Sequence, residues 1–231
     1  MDDRDLMNLH ADALFTYDGR GRMVRSNEPD GSPAPRFLLG YTMDGSIVRF
    51  GQGVPDDLVC RLAEIVERYP ATGTLQVPLP VLTAVREALE RHALIGSEGG
   101  GPVYSFPEDI AQSSGVVQVT DVNVEVARDT YPWLLHELVD RWPCFAVVRD
   151  GAAVSVCFSS RIGASAAEAG VDTLPAFRGH GYAAAVTVAW GASVRAAGRI
   201  PLYSTVWDNL ASQGVARHVG LIMVGADATW A

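Results

Sequence analysis

Pro175 marks the tightest constraint on this chain, because of what stands on either side of it. Residues 168–184 read E-A-G-V-D-T-L-P-A-F-R-G-H-G-Y-A-A. The stretch 169–174 is strand-like, and proline cannot continue a strand ladder. Beyond Arg178 come two glycines with one residue between them, and then an alanine-rich helix. Glycine lets backbone approach an anion closely, and the unpaired N–H groups of a helix's first turn point at it. The helix dipole and the Arg178 guanidinium add positive character. The segment reads as a phosphate cradle, and the question is which phosphate it holds.

Charge and composition narrow the answer. The chain has 231 residues, enough for one large domain or two small ones, and apolar residues make up 48%. Its net charge is −9, and all 18 basic residues are arginine. Such acidity argues against nucleic-acid binding and suits a cationic partner such as an amine. The start, M-D-D-R-D-L-M, lacks the basic-then-apolar layout of a signal peptide, and no apolar run is long enough to span a membrane. The expectation is a soluble, cytoplasmic protein without membrane association. The histidines are scattered and there is no C-x-x-C, so no metal is expected. Asp150-Gly151 is a hairpin turn between C-F-A-V-V-R and A-A-V-S-V-C. A regular register sets Cys144 opposite Cys157, close enough for a bridge to be conceivable, although two buried thiols are expected in a reducing compartment.

Periodicity divides the chain near residue 110. In 1–110, an α/β region of unknown role, strands at 37–42 and 46–50 form a hairpin. Helices follow at 56–69, capped by Asp56-Asp57, and at 80–92, and G-S-E-G-G-G-P (96–102) reads as a linker. In 111–231 the expected elements are a strand at 116–122, a helix at 131–142, the hairpin 144–149 and 152–158, and a strand at 169–174. A helix at 179–197, a strand at 201–207, a helix at 208–220 and a strand at 221–225 complete it. The sum is a mixed α/β sheet with helices on both faces.

A dinucleotide is one candidate for the cradle, since G-H-G-Y-A-A fits G-x-G-x-x-A. Against it, an antiparallel hairpin precedes the loop, and four residues separate strand from first glycine where a dinucleotide turn is tight. The other candidate is coenzyme A. Three segments in order carry a resemblance over about residues 115–231: F-A-V-V-R-D-G-A-A-V-S-V-C, then V-D-T-L-P-A-F-R-G-H-G-Y-A, then L-Y-S-T-V-W with N-L-A-S-Q-G-V-A-R-H-V-G-L. This half resembles the GNAT superfamily of acyl-CoA-dependent N-acyltransferases, whose fold is a mixed, mostly antiparallel sheet flanked by helices.

The resemblance implies an N-acetyltransferase moving an acetyl group from acetyl-CoA, without a metal, to an amine of a small molecule or peptide, by direct attack. Val171, Asp172 and Thr173 would pair with the pantetheine arm. Arg178, Gly179, His180, Gly181, Tyr182 and Ala183 would surround the pyrophosphate, and Asn209 and Ser212 would lie beside the pantetheine. Glu168 is the first choice as general base, ahead of His136, Glu137 and Glu125, and Ser212 is a possible acid. Many relatives carry a tyrosine seven residues after the asparagine as the acid, and here that position is Ala216. That departure keeps open a non-catalytic acyl-CoA-binding or regulatory module as the alternative. Whether the first half completes the sheet, shapes the acceptor pocket or is a degenerate copy of a similar unit, and whether the chain is a monomer or homodimer, the residues leave open.

Overall fold

The computed structural model of the chain describes residues 1–70, 73–110 and 114–231. It divides into two compact units: Met1–Tyr104 with Ser204–Asp208 and Met223–Ala231, and Ser105–Tyr203 with Asn209–Ile222.

The first unit begins with helix α1 (Asp3–Leu14), whose N-cap Asp2 accepts a hydrogen bond from the Asp5 N–H at 2.8 Å. A short antiparallel pair, β1 (Phe15–Tyr17) and β2 (Met23–Ser26), follows. The expected hairpin is present as β3 (Phe37–Thr42) and β4 (Gly45–Phe50). Next come α2 (Asp56–Glu67), α3 (Leu79–Glu90) and β5 (Glu98–Ser105). The last strand, β11 (Ile222–Trp230), returns to pair antiparallel with β3, from Gly225 opposite Thr42 to Trp230 opposite Phe37, giving the order β4-β3-β11-β5.

Every residue of β3 is buried because both faces are covered. Phe37, Leu39, Ala228 and Trp230 pack with Leu58 and Leu62 of α2 and Val85 and Leu89 of α3. Leu38, Ile47, Val103 and Val224 pack with Met7 and Ala11 of α1. Two expectations fail here. Pro55, not an aspartate, stands at the cap of α2, with no side-chain cap. The linker expected at 96–102 is the beginning of β5. Its glycines serve close packing rather than freedom of motion, since a Cβ on Gly100 would overlap the Asp227 carbonyl and one on Gly101 the Thr205 carbonyl.

The second unit has β6 (Val117–Val119), a 3-10 turn (Val124–Ala127), a single helical turn α4 (Leu134–Glu137), β7 (Cys144–Arg149), β8 (Ala152–Ile162) and β9 (Ala166–Thr173). After a 3-10 turn (Pro175–Phe177) come α5 (Tyr182–Ala196), β10 (Ile200–Ser204) and α6 (Leu210–Val219). The strand order is β10-β9-β8-β7-β6, antiparallel except for β10 with β9. The fold is thus a mixed, mostly antiparallel sheet flanked by helices. One face carries α5, which buries Val186, Trp190 and Val194, with the Trp190 indole donating to Ser159 Oγ at 3.1 Å. The other face packs Val119, Tyr131, Leu134, Leu138, Cys144 and Val156.

The helix expected at 131–142 shrinks to that one turn. The N–H groups of Leu134, Leu135 and His136 each bond the carbonyl three residues back, the tighter 3-10 pattern, which still brings Tyr131, Leu134 and Leu138 to the core. The two cysteines also differ from expectation. A bulge between Val147 and Val148 shifts the hairpin by one residue, so Cys144 pairs with Phe158 and Cys157 with Phe145. A one-residue shift moves a side chain to the opposite face. Cys144 and Cys157 are both free and buried, and Cys60 is free and exposed.

Burial raises the Cys144 thiol to about 12 and pushes Cys157 well above the usual thiol value. Both therefore stay protonated and unreactive at neutral and mildly alkaline pH. A chromogenic disulfide reagent should label only Cys60 in the native protein and all three thiols after denaturation; native labelling of Cys144 or Cys157 would contradict the packing. A second check lies in α5, where a Cβ on Gly191 would meet the Phe106 ring at 2.5 Å. Gly191→Val should destabilise the protein by about 1–3 kcal/mol through overpacking, read as a lower urea midpoint.

Candidate functional site

The site grows from a parting of strands within the second unit. β9 and β10 run parallel through Ala166–Ile200, Ala167–Pro201 and Glu168–Leu202, where their pairing ends. β9 continues to Thr173, still paired on its other side with β8. From Ala169 to Thr173 one edge of β9 is therefore released from β10, and its N–H and C=O groups need other partners. The other edge is firmly held. Thr173 Oγ1 lies 2.7 Å from Ser155 Oγ in a buried contact, and Tyr131 donates to the carbonyls of Val154 and Asp172 at 3.3 and 3.4 Å. Gly170 is glycine because the Phe158 ring occupies the space of a Cβ.

Beyond β9 the chain turns through Pro175–Phe177 into the cradle. Arg178 is extended, and its Nε donates to the Thr173 carbonyl at 3.2 Å. Gly179 (φ +79°) and Gly181 (φ +78°) are left-handed, a conformation side-chain-bearing residues rarely adopt. Gly181 is also the N-cap of α5, so the first-turn N–H groups open onto the loop. His180 sets its Nδ1 2.9 Å from the Arg178 carbonyl, which requires the hydrogen on Nδ1. Its ring stacks on Tyr182 at 5.5 Å.

Arg149 lies over the other contact of that ring, 4.7 Å from its centroid, with Nε donating to the Tyr182 hydroxyl at 3.2 Å. Sequence reasoning missed Arg149. The available signal was its place just before the Asp150-Gly151 turn, because the hairpin carries it to the end of the sheet at which β9 finishes.

The third component is the start of α6. Asn209 is its N-cap, with Oδ1 accepting from the Ser212 N–H at 3.0 Å. Ser212 Oγ lies 2.6 Å from the hydroxyl of Tyr203, a buried residue of β10. This contact too was not legible in the sequence. Ala216 is fully buried, so a larger side chain has no room there, and His218 is exposed in the helix's last turn.

Glu168 lies inside β9 rather than at its entrance, since the strand begins at Ala166. It forms the last pair before the strands part and is 1% exposed. A carboxylate so buried needs hydrogen bonds or a counter-charge. The weaker base candidates are engaged or placed elsewhere: Glu125 with Arg128 at 2.6 Å, Glu137 with Arg141 at 3.0 Å, and His136 in α4. Val171 and Asp172 sit on the released stretch with Thr173, and Ala183 in the first turn of α5. No group of three His, Cys, Asp or Glu among the described residues is arranged to hold a metal, and no helix among them is long and apolar enough to cross a membrane.

Comparison with known proteins bears on this arrangement. A sequence model described as GNAT acetyltransferase matches residues 143–226. No curated protein matches the chain. Among solved structures, a GNAT-family acetyltransferase from Colwellia psychrerythraea is 13% identical with a TM-score of 0.50, covering 84% of each chain. A GCN5-related N-acetyltransferase-like protein from Streptococcus suis is 16% identical with a TM-score of 0.48, over 98% of this chain and 99% of that one. A GNAT-family acetyltransferase of Novosphingobium aromaticivorans is 18% identical with a TM-score of 0.46, covering 59% of this chain and 66% of its own. At these identities the likeness of the first is one of fold. Together with the matched segment, which contains the parted strands, the glycine loop and Asn209, it identifies residues 143–226 as a GNAT acetyltransferase domain and supports acyl transfer as its activity.

Proposed function

We propose that the protein transfers an acetyl group from acetyl-CoA to an amine of a small molecule or peptide. The observation that carries this reading is the released edge of β9 leading directly into the Arg178–Gly181 loop. The amide-rich pantetheine arm adds to Val171–Thr173 as an extra strand would. Its pyrophosphate lies on the backbone N–H groups from Gly179 to Ala183, with Arg178 as counter-ion and Arg149, His180 and Tyr182 at the rim. With Asn209 Oδ1 occupied by the Ser212 N–H, the amide nitrogen of Asn209 is the group that faces the pantetheine.

The chemistry is direct attack. The lone pair of a neutral amine forms a bond to the acetyl carbonyl carbon, and the C–S bond breaks with its electrons going to sulfur. Glu168 accepts the proton that nitrogen loses, directly or through water, and the thiolate is protonated to leave as CoA. Ser212 supplies that proton. An alcohol alone is a weak acid, but the Tyr203 phenol at 2.6 Å can replace the proton as it leaves. A tyrosine from β10 thereby serves where Ala216 leaves no phenol on α6.

Calorimetry should detect CoA binding to the wild type, with Arg178→Ala weakening it about tenfold, the loss of one charge-assisted contact. Unchanged affinity in that variant would remove Arg178 from the pyrophosphate site. In thiol-release assays with acetyl-CoA, Glu168→Gln should lower kcat by about 10²-fold or more while CoA affinity is retained. Tyr203→Phe should lower kcat and shift the alkaline limb of its pH profile. A Glu168→Gln enzyme as active as wild type would end the proposed base role.

A further inference from the structure

Glu168 is 1% exposed, and a carboxylate held so far from water carries a charge only beside a cation or several donors. A proton acceptor must carry that charge. The residue facing Glu168 across the sheet therefore decides whether it can act.

β8 and β9 pair in regular antiparallel register from Ser155 opposite Thr173 to Ser159 opposite Ala169. Carried one step further, that register would set Ser160 opposite Glu168 and send Arg161 to the other face. It is interrupted instead. A bulge between Ser159 and Arg161 leaves Ser160 without an opposite number, and Arg161 becomes the residue paired with Glu168. Residues directly opposite in an antiparallel pair project to the same face, with Cβ atoms about 5 Å apart. Arg161 is half-buried there.

The bulge is anchored on both faces of the sheet. The Ser160 hydroxyl donates to the Glu168 carbonyl at 3.1 Å, and Arg141 Nη1 donates to the Ser160 carbonyl at 3.0 Å. The Arg141 carbonyl accepts the Ser159 N–H at 3.0 Å. On the face covered by α5, the buried Ser159 hydroxyl accepts from the Trp190 indole at 3.1 Å. A bulge fixed in this way re-aims the next side chain permanently. Arg141 is itself committed, because its guanidinium meets Glu137 at 2.9 Å and lies over the Trp133 and Phe158 rings.

We propose that Arg161 is a positioning residue for Glu168, brought opposite it by the bulge to hold its carboxylate charged and oriented at the point where β9 and β10 part. The inference rests on the reading of Glu168 as general base. A guanidinium keeps its proton near neutral pH and presents a fork of donors matched to a carboxylate. When the amine attacks, the proton lost by nitrogen passes to Glu168, which becomes a neutral acid. Arg161 keeps its own protons throughout and acts only through that carboxylate.

A double-mutant cycle on the full chain tests this. In urea unfolding, Arg161→Met should lower the midpoint by stranding a buried charge, and adding Glu168→Gln should recover most of that loss because an amide needs no cation. Arg161→Lys keeps the charge and should stay near the wild-type midpoint. Thiol release from acetyl-CoA, with primary amines from ethylamine to a tripeptide, gives the second readout. Arg161→Met should lower kcat at least about tenfold with KM for acetyl-CoA within about twofold, and Arg161→Lys should recover most of the rate. In the Glu168→Gln background, Arg161→Met should cost less than about twofold. If Arg161→Met does not fold, a folded Arg161→Met/Glu168→Gln protein is the expected result and an unfolded one overturns the inference. Losses that add in the urea cycle, or an Arg161→Met enzyme of wild-type kcat, also overturn it, and a slow Glu168→Gln enzyme then leaves the base role standing. A Glu168→Gln enzyme as fast as wild type, with the urea midpoints still coupled, defeats the base reading and not the pairing.

Discussion

The pairing of Glu168 with Leu202 is the last contact between two strands that must separate, and the rest of the site depends on where it falls. Were β9 and β10 to stay paired to their ends, the edge from Ala169 to Thr173 would be satisfied within the sheet and closed to any ligand. The opposite edge is held by β8, by the Ser155–Thr173 hydroxyl contact and by Tyr131, so the released groups are rigid. A rigid edge freed from its neighbouring strand offers hydrogen bonds without an ordering penalty. The glycine loop continues from that edge, and α6 follows β10, so both banks of the parting end in chemistry.

Electrostatically the chain is acidic as a whole and basic at one loop. Its net charge is −9, yet the cradle gathers Arg178 and Arg149 around a loop of backbone N–H groups. An anionic ligand would meet a field of opposite sign there.

Features written in local chemistry were legible in the sequence. The Met43-Asp44-Gly45 and Asp150-Gly151 turns, Pro175, Gly179, Gly181 and Gly220 each fix a backbone conformation within a few residues, and the elements they bound were read correctly in kind. Features set by distant packing were not. Nothing near Val147 announces the bulge that sends Cys144 and Cys157 to opposite faces. Gly99–Gly101 have the composition of a linker, and only the approach of β11 and Thr205 reveals why side chains are excluded. Tyr131–Trp142 has helical spacing, but the tighter turn satisfies the same core. In the site, the cradle was evident because one contiguous segment carries it, whereas the Tyr203–Ser212 contact needs β10 and α6 to fold against each other.

The antiparallel match of Phe37 with Trp230 has a consequence for biosynthesis. β3 is buried on both faces, yet its partner β11 is synthesised only after everything from α2 to α6. Until then the nascent chain presents an apolar strand with one open edge, the kind of surface that recruits chaperones or joins a neighbouring copy. The second unit also waits for its last turns, because α6 follows the Ser204–Asp208 excursion. Neither unit is a contiguous stretch of chain that could be cut out and expected to fold, and each finishes only after part of the other has been made.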